Sequence, residues 1–209
     1  MARRGLNNRQ ASECGMTLIE AAIAILVLTI GVVAVVGLFS VGVQYMNSSQ
    51  YSFIAKTKAQ EAVESVFAAR DDQALTWSQI MNVKGATGSD GGVFIDGPCP
   101  VNDPGPDGLV NTADDQPGTV EYIVLPGPDG VYGTADDIKL PLNRLTREIA
   151  IRPVTTVLVE GNPVQLRSLT VTVYDASTSS ASPGCGSNAT SGFKGVILYQ
   201  ISTYISPFT

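Results

Sequence analysis

Residues 21 to 39, AAIAILVLTIGVVAVVGLF, carry no charge, and a single carboxylate, Glu20, stands at their head. At about 1.5 Å of helical rise per residue this run makes about 28 Å of helix, close to a hydrocarbon core of about 30 Å. A carboxylate at the lip of such a helix is costly unless it finds a partner, which makes Glu20 a functional candidate. Ahead of it lies a short leader with Arg3, Arg4, Arg9 and Glu13, closed by Cys14 and Gly15.

A secretory signal peptide would have a shorter apolar region without an acid, followed by small residues at the cut. Here the run is longer and Glu20 opens it, so the stretch reads as an anchor spanning about residues 18–40. The leader arginines place the N-terminus in the cytoplasm, with the residues after about 40 outside.

The hexapeptide Gly15-Met16-Thr17-Leu18-Ile19-Glu20 and the apolar run behind it resemble the prepilin processing motif of type IV pilins and pseudopilins. Val27-Leu28-Thr29-Ile30-Gly31, with Gly37-Leu38, is most similar to minor pilins of the PilV type. The resemblance covers about residues 13 to 70. It implies that residues 1–15 are a leader removed by a prepilin peptidase between Gly15 and Met16, and that the Met16 amine is then N-methylated. It also implies that Glu20, fifth in the mature chain, pairs with the terminal amine of a neighbouring subunit. The implied partners are other pilins and an inner-membrane assembly platform. The implied location is the bacterial inner membrane, as a single-pass protein with a periplasmic domain, and then the pilus surface. Met16 stands where this family most often has Phe. Gly37 stands where many major pilins have a helix-breaking Pro, which favours a minor pilin. Two other readings stay open: a pseudopilin of a type II secretion system, and a membrane-anchored calcium-dependent adhesin that never assembles.

Past Gln44 the chain turns polar, but Ala55, Ala59, Ala62 or Val63, Val66 and Phe67 keep helical spacing. This predicts one helix from Met16 to about Ala69 with a single buried stripe, and with Lys56, Lys58, Glu61, Glu64 and Arg70 on its other sides. Residues 71–118 read as a connecting region rich in Gly, Pro, Asp and Asn. A short amphipathic helix is expected around Trp77, Ile80 and Met81, with Trp77 plugging the core. From residue 119 to 209 the pattern is β-rich. Val120–Leu125 is a strand, Glu148–Val159 and Val164–Tyr174 form a hairpin turned by residues 160–163 and bulged near Ser168, and Val196–Ile205 is the last strand. The fold class is therefore α+β, a long N-terminal helix packed on an antiparallel sheet of about four strands, the arrangement the pilin resemblance also implies.

One repeat interrupts this pattern. Pro104–Asp115 (PGPDGLVNTADD) recurs as Pro126–Asp137 (PGPDGVYGTADD), offset by 22 residues. Hard cations such as Ca²⁺ want several oxygen ligands on a loop turned by Gly. Laid on an EF-hand loop, the first copy supplies Asp103, Asp107, Asn111 and Asp114 as ligands, with Asp115 beside them. The second supplies Asp129, Asp136 and Asp137 but has Leu125 and Gly133 where ligands should stand. By this reading the first copy makes a calcium site alone and the second borrows ligands; the other reading is a pair of solvated turns.

Cys14 leaves with the leader, whereas Cys99 and Cys185 remain in a part whose compartment permits a disulfide, so they either bridge or stay as free thiols. Without the leader the 194 remaining residues hold a net charge of about −8, against −6 for the whole chain. An acidic chain with no basic stripe does not hold phosphates by charge, so general nucleic-acid binding is not expected. The chain has no histidine, hence no imidazole base or zinc ligand, and no P-loop, G-x-S-x-G or CxxC motif. It reads as a non-enzyme.

Overall fold

The computed structural model describes residues 17–83, 91–115, 119–154, 158–159, 162–163, 165–179, 185 and 195–207. Its contacts divide into two units, residues 1–48 and 49–209, and one helix, α1 (Leu18–Asp71), contributes to both. No proline interrupts α1. It ends where Gln73 takes a left-handed conformation (φ 55°) and its amide reaches back to the Arg70 carbonyl (3.1 Å), a common helix stop.

In the second unit α1 buries Ala55, Lys58, Ala59, Ala62, Val66 and Ala69. Four of these are alanines at helical spacing, which lets a sheet approach the backbone closely. Val63 and Phe67, expected in the stripe, are only partly buried. Lys58, expected on an outer side, lies on the buried face instead. Its ammonium is bonded to Glu61 (2.6 Å) and to Glu121. Burial alone would lower its proton affinity, but the hydrogen bonds to Glu121 and Glu61 outweigh it and raise the pKa above the ordinary lysine value.

The strands are β1 (Cys99–Pro100), β2 (Tyr122–Leu125), β3 (Ile138–Pro141), β4 (Leu145–Val154), β5 (Leu158–Val159), β6 (Asn162–Pro163), β7 (Leu166–Asp175) and β8 (Val196–Ile205). The main sheet has four antiparallel strands in the order β1-β4-β7-β8. The number of strands is as expected, but its first member is Cys99–Pro100 rather than the stretch 120–125. That stretch, as β2, pairs with β3 in a separate two-stranded sheet whose connection is the second acidic repeat. β4 and β7 pair without a slip from Leu145↔Asp175 to Val154↔Leu166. The bulge lies between Val173 and Tyr174, toward β8, and not at Ser168. Asn162 and Pro163, expected in the turn, belong to β6.

Alternation along β4 and β7 points Leu145, Ile149, Ile151, Leu169, Val171 and Val173 toward α1, and all six are buried. Each contributes about 1.5–3 kcal/mol by leaving water. The stretch ahead of β1 adds Ile80 and Phe94 to the same core. No helix forms at Trp77; residues 77–79 are a hydrogen-bonded turn. Trp77 is half-buried, with the Arg167 guanidinium 4.1 Å above its ring and bonded to the Trp77 and Ile80 carbonyls. That arginine satisfies a turn which the sequence pattern made look helical.

Candidate functional site

Besides the two cysteines, two regions carry the residues singled out by sequence. The first is the head of α1. Gly15 and Met16 lie outside the described residues. Thr17 caps the helix: its hydroxyl accepts the Glu20 N–H (3.3 Å) and its carbonyl accepts the Ala21 N–H (3.1 Å). Glu20 sits in the first turn, exposed, where the helix dipole favours a carboxylate. Residues 22 to 50 are all exposed, although they include Ile25, Leu28, Val33, Leu38 and Phe39. Their best 18-residue window has a mean hydropathy of 2.9, and this is the one helix among the described residues long and apolar enough to cross a membrane.

The second region is the pair of acidic loops. In the first, the Asp107 carboxylate accepts the Leu109 N–H (2.8 Å) and Asp114 accepts the Thr112 hydroxyl (2.6 Å) and, more loosely, the Asp107 N–H (3.4 Å). Asp115 accepts the Asn111 N–H (2.8 Å) and the Thr112 hydroxyl (3.1 Å). The second loop repeats this plan. Asp129 accepts from Val131 (2.9 Å), Asp136 from the Thr134 hydroxyl (2.6 Å), and Asp137 from Gly133 (2.7 Å). A side chain at Gly105 or Gly127 would strike the Asp114 or Asp136 carboxylate, so both loops require glycine there.

These bonds set the acidities. The Thr112 hydroxyl holds Asp114 below the usual carboxylate range, as Thr134 does for Asp136. Burial pushes Asp107 and Asp115 up. Asp103 lies ahead of the first loop, its amide on the Thr119 carbonyl (3.0 Å). Among the described residues no three acidic or cysteine side chains converge as a preformed metal centre. The loop carboxylates are occupied by donors of their own loops, and Asn111, placed by sequence among the calcium ligands, faces β4. Its amide donates to the Arg147 carbonyl (2.9 Å) and its oxygen accepts from Arg147 Nε (2.9 Å).

Cys99 and Cys185 form a disulfide, with Cα atoms 4.6 Å apart across a sequence separation of 86. It ties the short edge strand β1 to the connection between β7 and β8.

Sequence reasoning missed two residues here. Arg147 is fully buried, and burial lowers its proton affinity against the opposing pull of Glu61, Glu121 and Asp115. Its signal was present: it stands in phase with Leu145, Ile149 and Ile151, so it had to point inward. Asn82 is also buried, donating to the Ile149 carbonyl (2.7 Å) and accepting the Ile151 N–H (2.6 Å). Nothing in its neighbourhood in the sequence marked it. Comparison of the chain with protein-family models, curated proteins and solved structures found no match.

Proposed function

We propose that this chain is a minor pilin, a subunit made as a prepilin, anchored in the bacterial inner membrane by α1 and assembled laterally into a type IV pilus. One observation carries the reading: Glu20, in the first turn of α1, heads 19 uncharged residues, of which 22 to 39 stand exposed, directly behind the Gly15-Met16 motif. Such a face is stable in lipid or against like helices, and the carboxylate then needs a cation. In this reading the cation is the Met16 amine of a neighbouring subunit. Unpaired, either charge would cost several kcal/mol on burial, so pairing selects one register among those the smooth apolar surface allows. The antiparallel sheet and the disulfide suit a domain displayed outside the membrane.

N-terminal sequencing and intact mass of the membrane-extracted protein test this. A chain starting at methylated Met16 is expected only in cells that hold a prepilin peptidase. A chain starting at Met1 in both backgrounds would leave an anchored binding domain. Deletion separates the pilus from a type II secretion pseudopilus, since loss of surface pili is expected here and loss of secreted enzymes belongs to the other assembly.

A second reading, calcium binding by the acidic repeat, is favoured by one atom. Asp137 Oδ1 is closed off from solvent and accepts no hydrogen bond among the described residues. A cation would satisfy that oxygen, and the other acids of the loop, Asp129 and Asp136, already accept from Val131 and Thr134. Calcium at 100 times its Kd is expected to raise the melting temperature by about 5–10 °C. Identical melting with calcium and with a chelator removes this reading and leaves the filament reading standing.

A further inference from the structure

The two copies of the repeat share a backbone and differ in what they hold. Gly108 and Gly130 occupy matching left-handed positions (φ 68° and 71°), and so do Asn111 and Gly133 (φ 60° and 85°). In the first copy Leu109 and Val110 are buried, at 8% and 2% exposure, whereas the matching Val131 and Tyr132 stand at 55% and 66%. Glycine and asparagine both take a left-handed conformation readily, so the difference between the two copies lies in what the side chain touches.

The Asn111 side chain reaches Arg147, on the side of β4 where the two-residue β1 pairs. Along this edge the Leu145 carbonyl takes the Val101 N–H (3.4 Å), the Arg147 carbonyl takes the Asn111 amide (2.9 Å), and Asn82 serves Ile149 and Ile151. At Arg147 the Asn111 amide adds to the pairing with Cys99 of β1, and beyond β1 the Asn82 side chain stands in for a neighbour strand. The Asn111 oxygen also accepts from Arg147 Nε, while Nη1 and Nη2 of the same buried guanidinium have no partner among the described residues. The Asn111 main chain adds one bond more, its carbonyl accepting the Ile95 N–H (2.7 Å).

We infer that the duplicated loop has divided into two roles: the first copy is a strap that fastens onto Arg147 of β4 and holds its buried guanidinium in place, and the second is free of that task. Removing the Asn111 amide leaves a buried cation without its hydrogen bond and takes a donor from the Arg147 carbonyl, both unfavourable. In the second copy the same position faces water, and glycine suffices.

Exchanging the two residues in the full-length protein in detergent tests this. Asn111→Gly keeps a residue suited to the left-handed backbone, so its effect reports the lost amide. Amide exchange at Ile95, Asn111 and Thr112 is expected to accelerate about 10- to 100-fold, with a lower melting temperature. Gly133→Asn is expected to leave both at the parent value. If Asn111→Gly does not accumulate, Asn111→Ala, which removes both the donor and the acceptor toward Arg147, is expected to accelerate the same amides, with Gly133→Ala as the control for backbone strain at the matching position. Parent-like exchange in the Asn111 variant that is obtained, or an equal response to Gly133→Asn, would overturn the division of roles.

Discussion

Replacing Glu20 with alanine is expected to leave the chain in the membrane at the parent level and to remove it from sheared filaments. Alanine is the strongest helix former, and it takes a carboxylate away from the lip of an apolar run, so neither the helix nor its insertion should suffer. What is lost, on the proposed function, is the acid that selects register. Losing a pairing of about 3 kcal/mol lowers filament incorporation by about 100-fold, which immunoblotting of sheared and membrane fractions resolves. Glu20→Asp keeps the charge on a shorter arm and is expected to fall between the two. Parent-level recovery of the alanine variant in filaments would end the proposed role for Glu20 and leave the anchor untouched.

The second large effect is expected at the disulfide. Changing Cys99 and Cys185 together to alanine should cost roughly 2–4 kcal/mol, because the bridge closes a long loop of the unfolded chain. In a unit of this size that lowers the melting temperature by about 4–16 °C. The consequence is local as well. β1 pairs with β4 only through Cys99↔Arg147 and Pro100↔Thr146, so the bridge is the covalent tie on an otherwise short edge. A reductant is expected to lower the parent's melting by the same amount and to leave the double variant unchanged. An unchanged melting temperature in the double variant would mean that packing of the buried Cys99 side, and not the covalent link, holds the edge.

Much of the architecture was legible because it rests on periodicity. An uncharged run followed by alanines three and four apart can only be a long helix with one buried side, and β8 read true to its ends because its turn signals flank it. The head of α1 was legible only roughly: the helix was expected from Met16, and the Thr17 cap that starts it at Leu18 was not expected. The acidic repeat was visible as a repeat, and its two copies do share one backbone. Its chemistry was not visible, because an aspartate that holds a loop's own amide and one that waits for a cation look alike in a sequence.

What the sequence determined by itself was therefore whatever depends on neighbours along the chain: the helix, its apolar face, and the hairpin of β4 and β7. Tertiary structure decided which distant residues complete those elements. It put Cys99–Pro100, and not Val120–Leu125, at the edge of the main sheet, sent Lys58 inward to Glu121, and gave Asn111 to the β4 edge where Asn82 already served. The reason is that buried polar groups must be satisfied by whatever donor or acceptor the fold brings within reach. Asn82 lies 67 positions from Ile149 and Asn111 lies 36 from Arg147, separations at which no periodicity in the chain can announce a partner.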